Sequence, residues 1–156
     1  MFYILEDEKI VLFNANKEIL ENTIMFTPQY ANLEIKETNK NIIEFENSFY
    51  FEDDEVYLKQ KEEKEKERIS EISLTRADVF EALILARNLT KSDLRELIEK
   101  DDTLTDIQRL LYLNRFDDAL EFYRKHPAID FIATKLNITT ENMDKFFDTK
   151  DYNFLT

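Results

Sequence analysis

The sequence predicts an α+β fold in which a small N-terminal antiparallel β-meander precedes a charged linker helix and a C-terminal bundle of about six short helices. Three observations lead to this prediction. Residues 1–52 alternate short apolar runs with polar breaks, residues 53–73 are dominated by Lys and Glu, and residues 74–156 contain repeated helix-capping pairs. We therefore expect a β-rich head, a helical connector and a helical domain with these boundaries.

The head contains five segments typical of strands. They are FYIL (2–5), IVLF (10–13), LEIKE (33–37), IIEFE (41–45) and FYFE (49–52). Alternation in the later segments indicates one buried face and one solvated face. Between the second and third segments, residues 16–22 predict a short helix that directs Ile19 and Leu20 at the sheet, and Pro28 predicts a loop.

The connector, residues 53–73, consists of good helix formers with apolar residues only near its ends. A coiled coil needs apolar residues at sustained a and d positions, and the middle of this segment has none. We expect a solvated linker helix.

Capping side chains mark the helix starts of the C-terminal domain. Reciprocal pairs three residues apart are Thr75 with Asp78, Thr90 with Asp93, Thr105 with Gln108 and Asn114 with Asp117, and a further start lies at Thr139 or Thr140. They predict helices near 76–87, 91–100, 106–113, 116–125, 128–136 and 140–148.

Apolar residues at helical spacing predict the inward face of each helix. The sets are Val79, Leu83 and Ala86; Leu94, Leu97 and Ile98; Ile107, Leu110 and Leu111; Phe116, Ala119, Leu120 and Tyr123; and Ile129, Ile132, Ala133 and Leu136. The helix over 76–87 also carries Phe80, Ile84 and Leu85, so it is apolar nearly all round. We place it at the centre of the bundle.

The chain has no glycine. Helix ends that need a positive φ must use another residue, and Asn88, Asn114 and Asn137 stand where such ends are expected. Dinucleotide-binding fingerprints, P-loops, nucleophile elbows and EF-hand loops each require a glycine at a fixed position, so the sequence excludes them.

Charge and composition narrow the classes of partner. The 21 Lys and Arg against 34 Asp and Glu give a net charge of −13, and each of the three predicted segments is negative. Nucleic-acid affinity depends on neutralising phosphates, so we expect none unless Arg76, Arg87, Lys91, Arg95 and Lys135 form one cationic strip. No apolar run approaches the ~20 residues of a membrane span and no signal peptide is apparent, so we expect a soluble intracellular protein.

Residues 131–147, FIATKLNITTENMDKFF, have the spacing of a helix-turn-helix. Ala133 would lie within the first helix, Asn137 in the turn, and Met143 would lock the second helix. The outward face of the second helix carries Glu141, Asn142, Asp144, Lys145 and Asp148. Its carboxylates would repel phosphate, so we favour a packing role first, a protein-binding face second and DNA reading last.

No residue pattern indicates catalysis, a cofactor or a metal. There is no cysteine, which excludes disulfides, thiolate catalysis and Cys-ligated zinc. We expect the single histidine, His126, to satisfy the last carbonyls of a helix. The serines lack an activating neighbour, and the acidic segment 52–55 lacks the spaced ligands of a cation-binding loop.

Three segments carry a family resemblance. The strand-rich FYILEDEKIVLF, the Lys/Glu connector and the helical SLTRADVFEALILARNLTKSDLRELI resemble small proteins encoded in the tail modules of phages and prophages. The resemblance covers roughly residues 1–100 and implies a tail-associated or tail-fibre assembly type of protein. Residues 101–156 extend beyond the simplest members.

We therefore expect a non-enzymatic phage or prophage protein that acts through protein-protein contacts, as a tail component or a tail assembly chaperone. Its partner would be a tail protein or a basic host protein, in the bacterial cytoplasm or on the virion, with no nucleic acid and no membrane; a homo-oligomer is left open. One alternative is an acidic, nucleic-acid-mimicking inhibitor of a host defence nuclease, similar to an anti-CRISPR. The other is a helix-turn-helix regulator.

Overall fold

The computed structural model describes residues 1–156 and confirms the α+β fold class. The chain divides into two compact units, residues 1–64 and residues 65–156. The boundary falls inside the predicted connector, within a single helix. None of the helices is long and apolar enough to span a lipid bilayer.

The first unit is built on a five-stranded antiparallel sheet, and every predicted strand is present. Its elements are β1 (Phe2–Glu6), β2 (Lys9–Asn14), α1 (Lys17–Met25), a 3₁₀ turn (Pro28–Tyr30), β3 (Ile35–Glu37), β4 (Ile42–Phe45), β5 (Ser48–Phe51) and the first turns of α2 (Glu55–Ser70). The strand order is β3-β1-β2-β5-β4, so the strands are not arranged as a simple meander. Helix α1 packs on β1 and β2, and the chain leaving it returns to pair β3 with β1 instead of continuing beside β2.

Helix α1 buries one side chain against the first hairpin. Leu20 is fully buried, together with Ile4 of β1 and Ile10 of β2. Ile19, which we expected to face the sheet as well, is half exposed. Adjacent helical residues point about 100° apart, so only one of the two can enter the same narrow contact.

The start of α2 belongs to the core of the first unit. Tyr57 is buried, with its ring centroid 5.5 Å from that of Phe45 and 5.9 Å from that of Tyr50. The rest of the helix is mostly solvated, as predicted for the connector, but its first turns are anchored to the sheet by this aromatic contact.

Both hairpins of the first unit turn without glycine. The turn between β1 and β2 uses Asp7 and Glu8 at φ of 48° and 65°, and the turn between β4 and β5 uses Glu46 and Asn47 at 51° and 61°. Two consecutive residues with positive φ are the requirement of a type I′ turn, whose twist matches that of the flanking strands.

The second unit combines helices with a two-stranded ribbon. Its elements are the remainder of α2, β6 (Ser73–Thr75), α3 (Arg76–Arg87), α4 (Lys91–Glu99), α5 (Asp106–Asp118), β7 (Glu121–Tyr123), α6 (Pro127–Lys135), α7 (Thr140–Thr149) and a 3₁₀ turn (Tyr152–Leu155). The capping boxes predicted at Thr75, Thr90 and Thr105 are present, and Thr139 caps α7.

The helix predicted over 106–113 is present but longer, whereas the predicted break before residue 116 and the helix beyond residue 118 are wrong. Helix α5 runs through Asn114 to Asp118, and β7 follows it. Strand β7 pairs antiparallel with β6, which needs a partner for its main-chain hydrogen bonds. This long-range pairing overrides the local helical pattern of residues 121–123.

Two of the three predicted asparagine stops are confirmed. Asn88 after α3 and Asn137 after α6 both have φ of 54°, whereas Asn114 lies inside α5. Lys150, after α7, takes the same left-handed conformation at φ of 60°.

Substitutions at Asn88 measure how much the left-handed conformation at this helix end contributes to the free energy of unfolding. We expect Asn88→Ala to lower the free energy of unfolding by about 1 kcal/mol, because alanine tolerates positive φ less well than asparagine. The free energy of unfolding of Asn88→Gly should stay within about 0.5 kcal/mol of that of the parent, because glycine removes the steric cost but adds conformational freedom to the unfolded chain. Urea denaturation followed by circular dichroism measures both, and equal effects of the two substitutions would contradict this account.

The core of the second unit is aromatic at its centre. Phe116 of α5 and Phe122 of β7 are both buried with ring centroids 5.7 Å apart, and Phe80 of α3 packs edge-on against Phe116 at 5.1 Å. The predicted inward residues of α4 and α6 also lie in this core or pack against it. Helix α3 is less central than expected, because Ile84 and Leu85 remain about half exposed.

Candidate functional site

The helix pair predicted to resemble a helix-turn-helix is present as α6 and α7. The turn between them is closed by Asn137 at positive φ and by a hydrogen bond of 2.8 Å from the Ile138 amide to the Ala133 carbonyl. Met143 is buried and fixes α7, as its position in the pattern indicated. The question is therefore what the outward face of α7 offers to a partner.

The carboxylates of that face are bound to cations of the same chain. Glu141 accepts a hydrogen bond of 2.6 Å from Lys145 Nζ, one helical turn away, and this contact lowers the pKa of Glu141. Asp148 accepts one of 2.6 Å from Arg68 Nη2. Asp144 accepts one of 2.6 Å from Arg124 Nε. Each carboxylate of the predicted site thus has a partner, although Arg68 and Arg124 are shared with Glu65 and Asp130.

Two of the five predicted residues have clear structural roles. Arg124, the residue after β7, is buried and joins Asp130 of α6 to Asp144 of α7, with both contacts at 2.6 Å. The backbone amide of Asn142 donates to Thr139 Oγ1 at 3.2 Å and so helps to cap α7. Asp144 therefore holds the two helices together, which is the packing role that the sequence favoured.

Helix α5 carries an exposed apolar stripe that was predicted to be buried. Ile107, Leu110 and Leu111 were expected to point inward, but they are 73%, 60% and 60% exposed. Instead, Phe116 is buried in the core, and Tyr112 and Leu113 are partly buried and pack against it. Both sets have helical i, i+3 or i+4 spacing, so periodicity alone could not decide between them.

A groove adjoins the C-terminal half of this stripe. It has a volume of about 480 Å³ and lies between the end of α5 and the start of α6. Its walls are Leu111, Tyr112, Asn114, Arg115, Asp118, Ala119, His126 and Pro127. We call the stripe of Ile107, Leu110 and Leu111, together with this groove, the α5 surface.

His126 has a different role from the one expected. It does not end a helix but precedes α6, where its Nδ1 accepts a hydrogen bond of 3.1 Å from the Ala128 amide. Burial lowers the pKa of His126, and the positive charge of Arg115 lowers it further. The imidazole is therefore neutral at pH 7, which the acceptor role at Nδ1 requires. Pro127 fits the first helical position because it has no amide hydrogen to satisfy.

Carboxylates and guanidinium groups both border the α5 surface. The Asp106 side chain, at the start of α5, is 99% exposed, and Asp118, at its end, is exposed beside the groove. Arg109 is drawn away from the stripe: it pairs with Asp106 at 2.9 Å and donates to the Asp101 carbonyl at 2.7 Å. Inside the groove, Arg115 is partly buried and its Nε has no hydrogen-bond partner.

The cations whose alignment would have indicated nucleic-acid binding are all engaged within the chain. Arg76 donates to the Asp117 carbonyl at 2.7 Å, and Lys91 and Arg95 pair with the Asp117 carboxylate, so these three do gather at one point. Arg87 donates to the Leu155 carbonyl and Lys135 pairs with Asp101, which are separate partners. The five do not share one partner, and no continuous strip is indicated.

The first unit has a larger groove, of about 650 Å³, beside the junction of β2 and β5. These strands share a single register pair, Ile10 with Phe49. Most residues that line it, including Leu5, Tyr50 and Phe51, belong to the sheet or pack against it. Their positions therefore follow from the fold of the first unit. The α5 stripe has no such explanation and is therefore the stronger candidate.

No group of three or more His, Asp or Glu side chains is arranged so that it could hold a metal ion. Comparison of the chain with protein-family models, with curated proteins and with solved structures found no match.

Proposed function

We propose that this chain acts by binding another protein through the α5 surface, as a non-enzymatic component or assembly chaperone of a phage or prophage tail. The observation that supports the contact is the exposure of three large aliphatic side chains in one row beside a groove. The tail setting is supported by the resemblance of residues 1–100 to proteins of phage tail modules.

The energetics favour a contact at this row. Fully burying one aliphatic side chain of this size stabilises a complex by about 1.5–3 kcal/mol, and the row offers three. The sum is comparable with the lower estimates of the free energy that two proteins lose as translational and rotational freedom when they associate. A partner that also fills the groove would add to it.

The two alternative functions receive less support from the same residues. A DNA reader needs cations or amides on the outward face of α7, where the carboxylates Glu141, Asp144 and Asp148 outnumber the single cation and the single amide. A nucleic-acid mimic needs carboxylates free to meet a basic groove, and on α7 these three already accept hydrogen bonds from Lys145, Arg124 and Arg68.

Site-specific photo-crosslinking tests the proposal. We expect p-benzoylphenylalanine in place of Leu111 to crosslink to a tail protein in cells that produce the phage or prophage encoding this chain, because the probe would lie within the interface. The same probe in place of Asn142 on α7 is the control and should give no such product. Mass spectrometry identifies the captured protein.

Each outcome has a defined meaning. Crosslinks from position 142 but not from position 111 would contradict the choice of surface. A specific product from position 111 with a protein unrelated to tails would contradict the tail setting. Absence of any product from either position would contradict the proposal as a whole.

A further inference from the structure

We infer that the element which the α5 surface accepts is a basic amphipathic helix, with one apolar row flanked by Lys or Arg. This inference rests on the proposed binding function and adds the chemistry of the partner. It is drawn from the shape of the stripe, the charge at its borders, the groove, and the electrostatic cost of the competing occupant.

The shape of the stripe matches a helix of about three turns. Ile107, Leu110 and Leu111 lie on one face of α5, and Asn114 and Asp118 continue that face at helical spacing. At 1.5 Å per residue, the distance from position 107 to position 118 along the axis is ~16 Å. A helix presenting apolar residues at i, i+3, i+4 and i+7 can lay them along this length.

The charge around the stripe is negative in sum and favours a cationic partner, since Asp102, Asp106 and Asp118 outnumber Arg109 and Arg115. Asp106 stands at the start of the stripe and Asp118 at its end, and Asp102, just before α5, is exposed as well. The one cation of the N-terminal half, Arg109, is committed to Asp106 and to backbone carbonyls. The whole chain carries −13, so long-range attraction acts in the same direction.

The groove suits a large apolar anchor better than a charged one. Asp118 and Arg115 both line it, so their opposite charges leave no strong preference for an ion. Leu111, Tyr112 and Pro127 provide apolar walls, and the volume of about 480 Å³ accommodates one large side chain. The cations of the partner would therefore lie at the rim and its anchor in the groove.

A second copy of this chain is a poorer occupant. Antiparallel pairing of two α5 helices centred near Leu111 would bring Asp118 of each copy towards the N-terminal end of the other, where Asp106 lies. Parallel pairing would set Asp118 against its own counterpart. Either arrangement places like charges together, and both copies carry the same excess of acid.

A synthetic peptide of about 14 residues can serve as the probe, built from Leu, Lys and Ala with the leucines on one helical face. A second peptide has Glu in place of every Lys, and a third has the composition of the first in a scrambled order. Using fluorescence anisotropy with the full chain, we expect the basic amphipathic peptide to bind at least tenfold more tightly than either of the others. Its affinity should fall as salt is added.

Variants of the chain locate the binding. Leu110→Ala with Leu111→Ala should weaken the basic peptide about tenfold or more, because two exposed apolar contacts are removed without disturbing the core. Asp106→Asn with Asp118→Asn should weaken it severalfold and flatten the salt dependence. The matched control is Glu34→Gln with Glu44→Gln, which removes the same charge from exposed positions of the first unit and should leave the affinity unchanged.

The outcomes separate this inference from the function on which it rests. Equal binding of the acidic and basic amphipathic peptides, abolished by the two leucine substitutions, would overturn the basic partner but leave the α5 surface as a docking site. Binding that the leucine substitutions do not change would overturn both. Binding of the scrambled peptide equal to that of the basic one, loss of affinity in the Glu34/Glu44 control, or no saturable binding of the basic peptide would overturn the inference.

Discussion

Arg124→Ala is expected to lower the free energy of unfolding of the second unit by about 2–3 kcal/mol. The guanidinium is buried and holds Asp130 of α6 and Asp144 of α7, with both contacts at 2.6 Å. Removing it leaves the mostly buried carboxylate of Asp144 without its cation and deletes the side chain between the two helices. Urea denaturation followed by the helical circular dichroism signal measures the loss.

Two further variants test whether the uncompensated charge is the cause. Arg124→Met combined with Asp144→Asn removes both charges of the more buried pair and should lower the free energy of unfolding clearly less than Arg124→Ala. Lys145→Met removes an exposed cation of the same face, paired with Glu141, and should change the stability by no more than about 0.5 kcal/mol. A cost below about 1 kcal/mol for Arg124→Ala would show that the pair does not hold the helices together.

Phe116→Ala is expected to lower the free energy of unfolding of the second unit by about 4 kcal/mol, because it opens a cavity at the centre of that unit. The side chain is buried between Phe80 and Phe122, whose ring centroids lie 5.1 Å and 5.7 Å away. A loss of this size is a large part of the stability of an ordinary domain. Amide hydrogen exchange of residues 65–156 reports it separately from the first unit.

The matched control lies on the opposite face of the same helix. Leu110→Ala removes a large apolar side chain from α5 at a position that is 60% exposed, and it should cost no more than about 0.5 kcal/mol. Phe116→Leu, which keeps most of the volume, should cost less than Phe116→Ala. Similar losses for Leu110→Ala and Phe116→Ala would mean that the inner and outer faces of α5 are assigned wrongly.

The parts of the fold that depend on local chemistry could be predicted from the sequence. The threonine caps place the starts of α3, α4, α5 and α7 because each capping side chain and the amide that it accepts from lie within one turn of chain. The strand segments of the first unit are equally local, since alternation and the breaks between runs are visible in a few residues.

The parts that depend on distant residues could not be predicted in this way. Strand β7 exists because β6 needs a partner, and β6 is 48 residues earlier at the contact of Ser73 with Glu121. The strand order of the first sheet depends on the path of the chain after α1. Neither choice leaves a signal in the segment concerned.

The same limit applies to the candidate site. The acidic face of α7 was predicted from its own residues, but two of the three cations that bind it come from elsewhere: Arg68 is 80 residues away from Asp148, and Arg124 is 20 residues away from Asp144. The α5 surface was missed because α5 carries two apolar sets at helical spacing. Only the position of its neighbours decides which set is covered.

The ribbon of β6 and β7 also bears on how fast the second unit forms. Closing a loop of 48 residues costs about 3.5 kcal/mol of chain entropy before the pairing hydrogen bonds are gained. A helical bundle joined only by short turns avoids this step. In refolding experiments the unit should therefore be slower than helical bundles of its length and comparable with mixed α/β proteins, whose rates are set by contacts between distant parts of the chain.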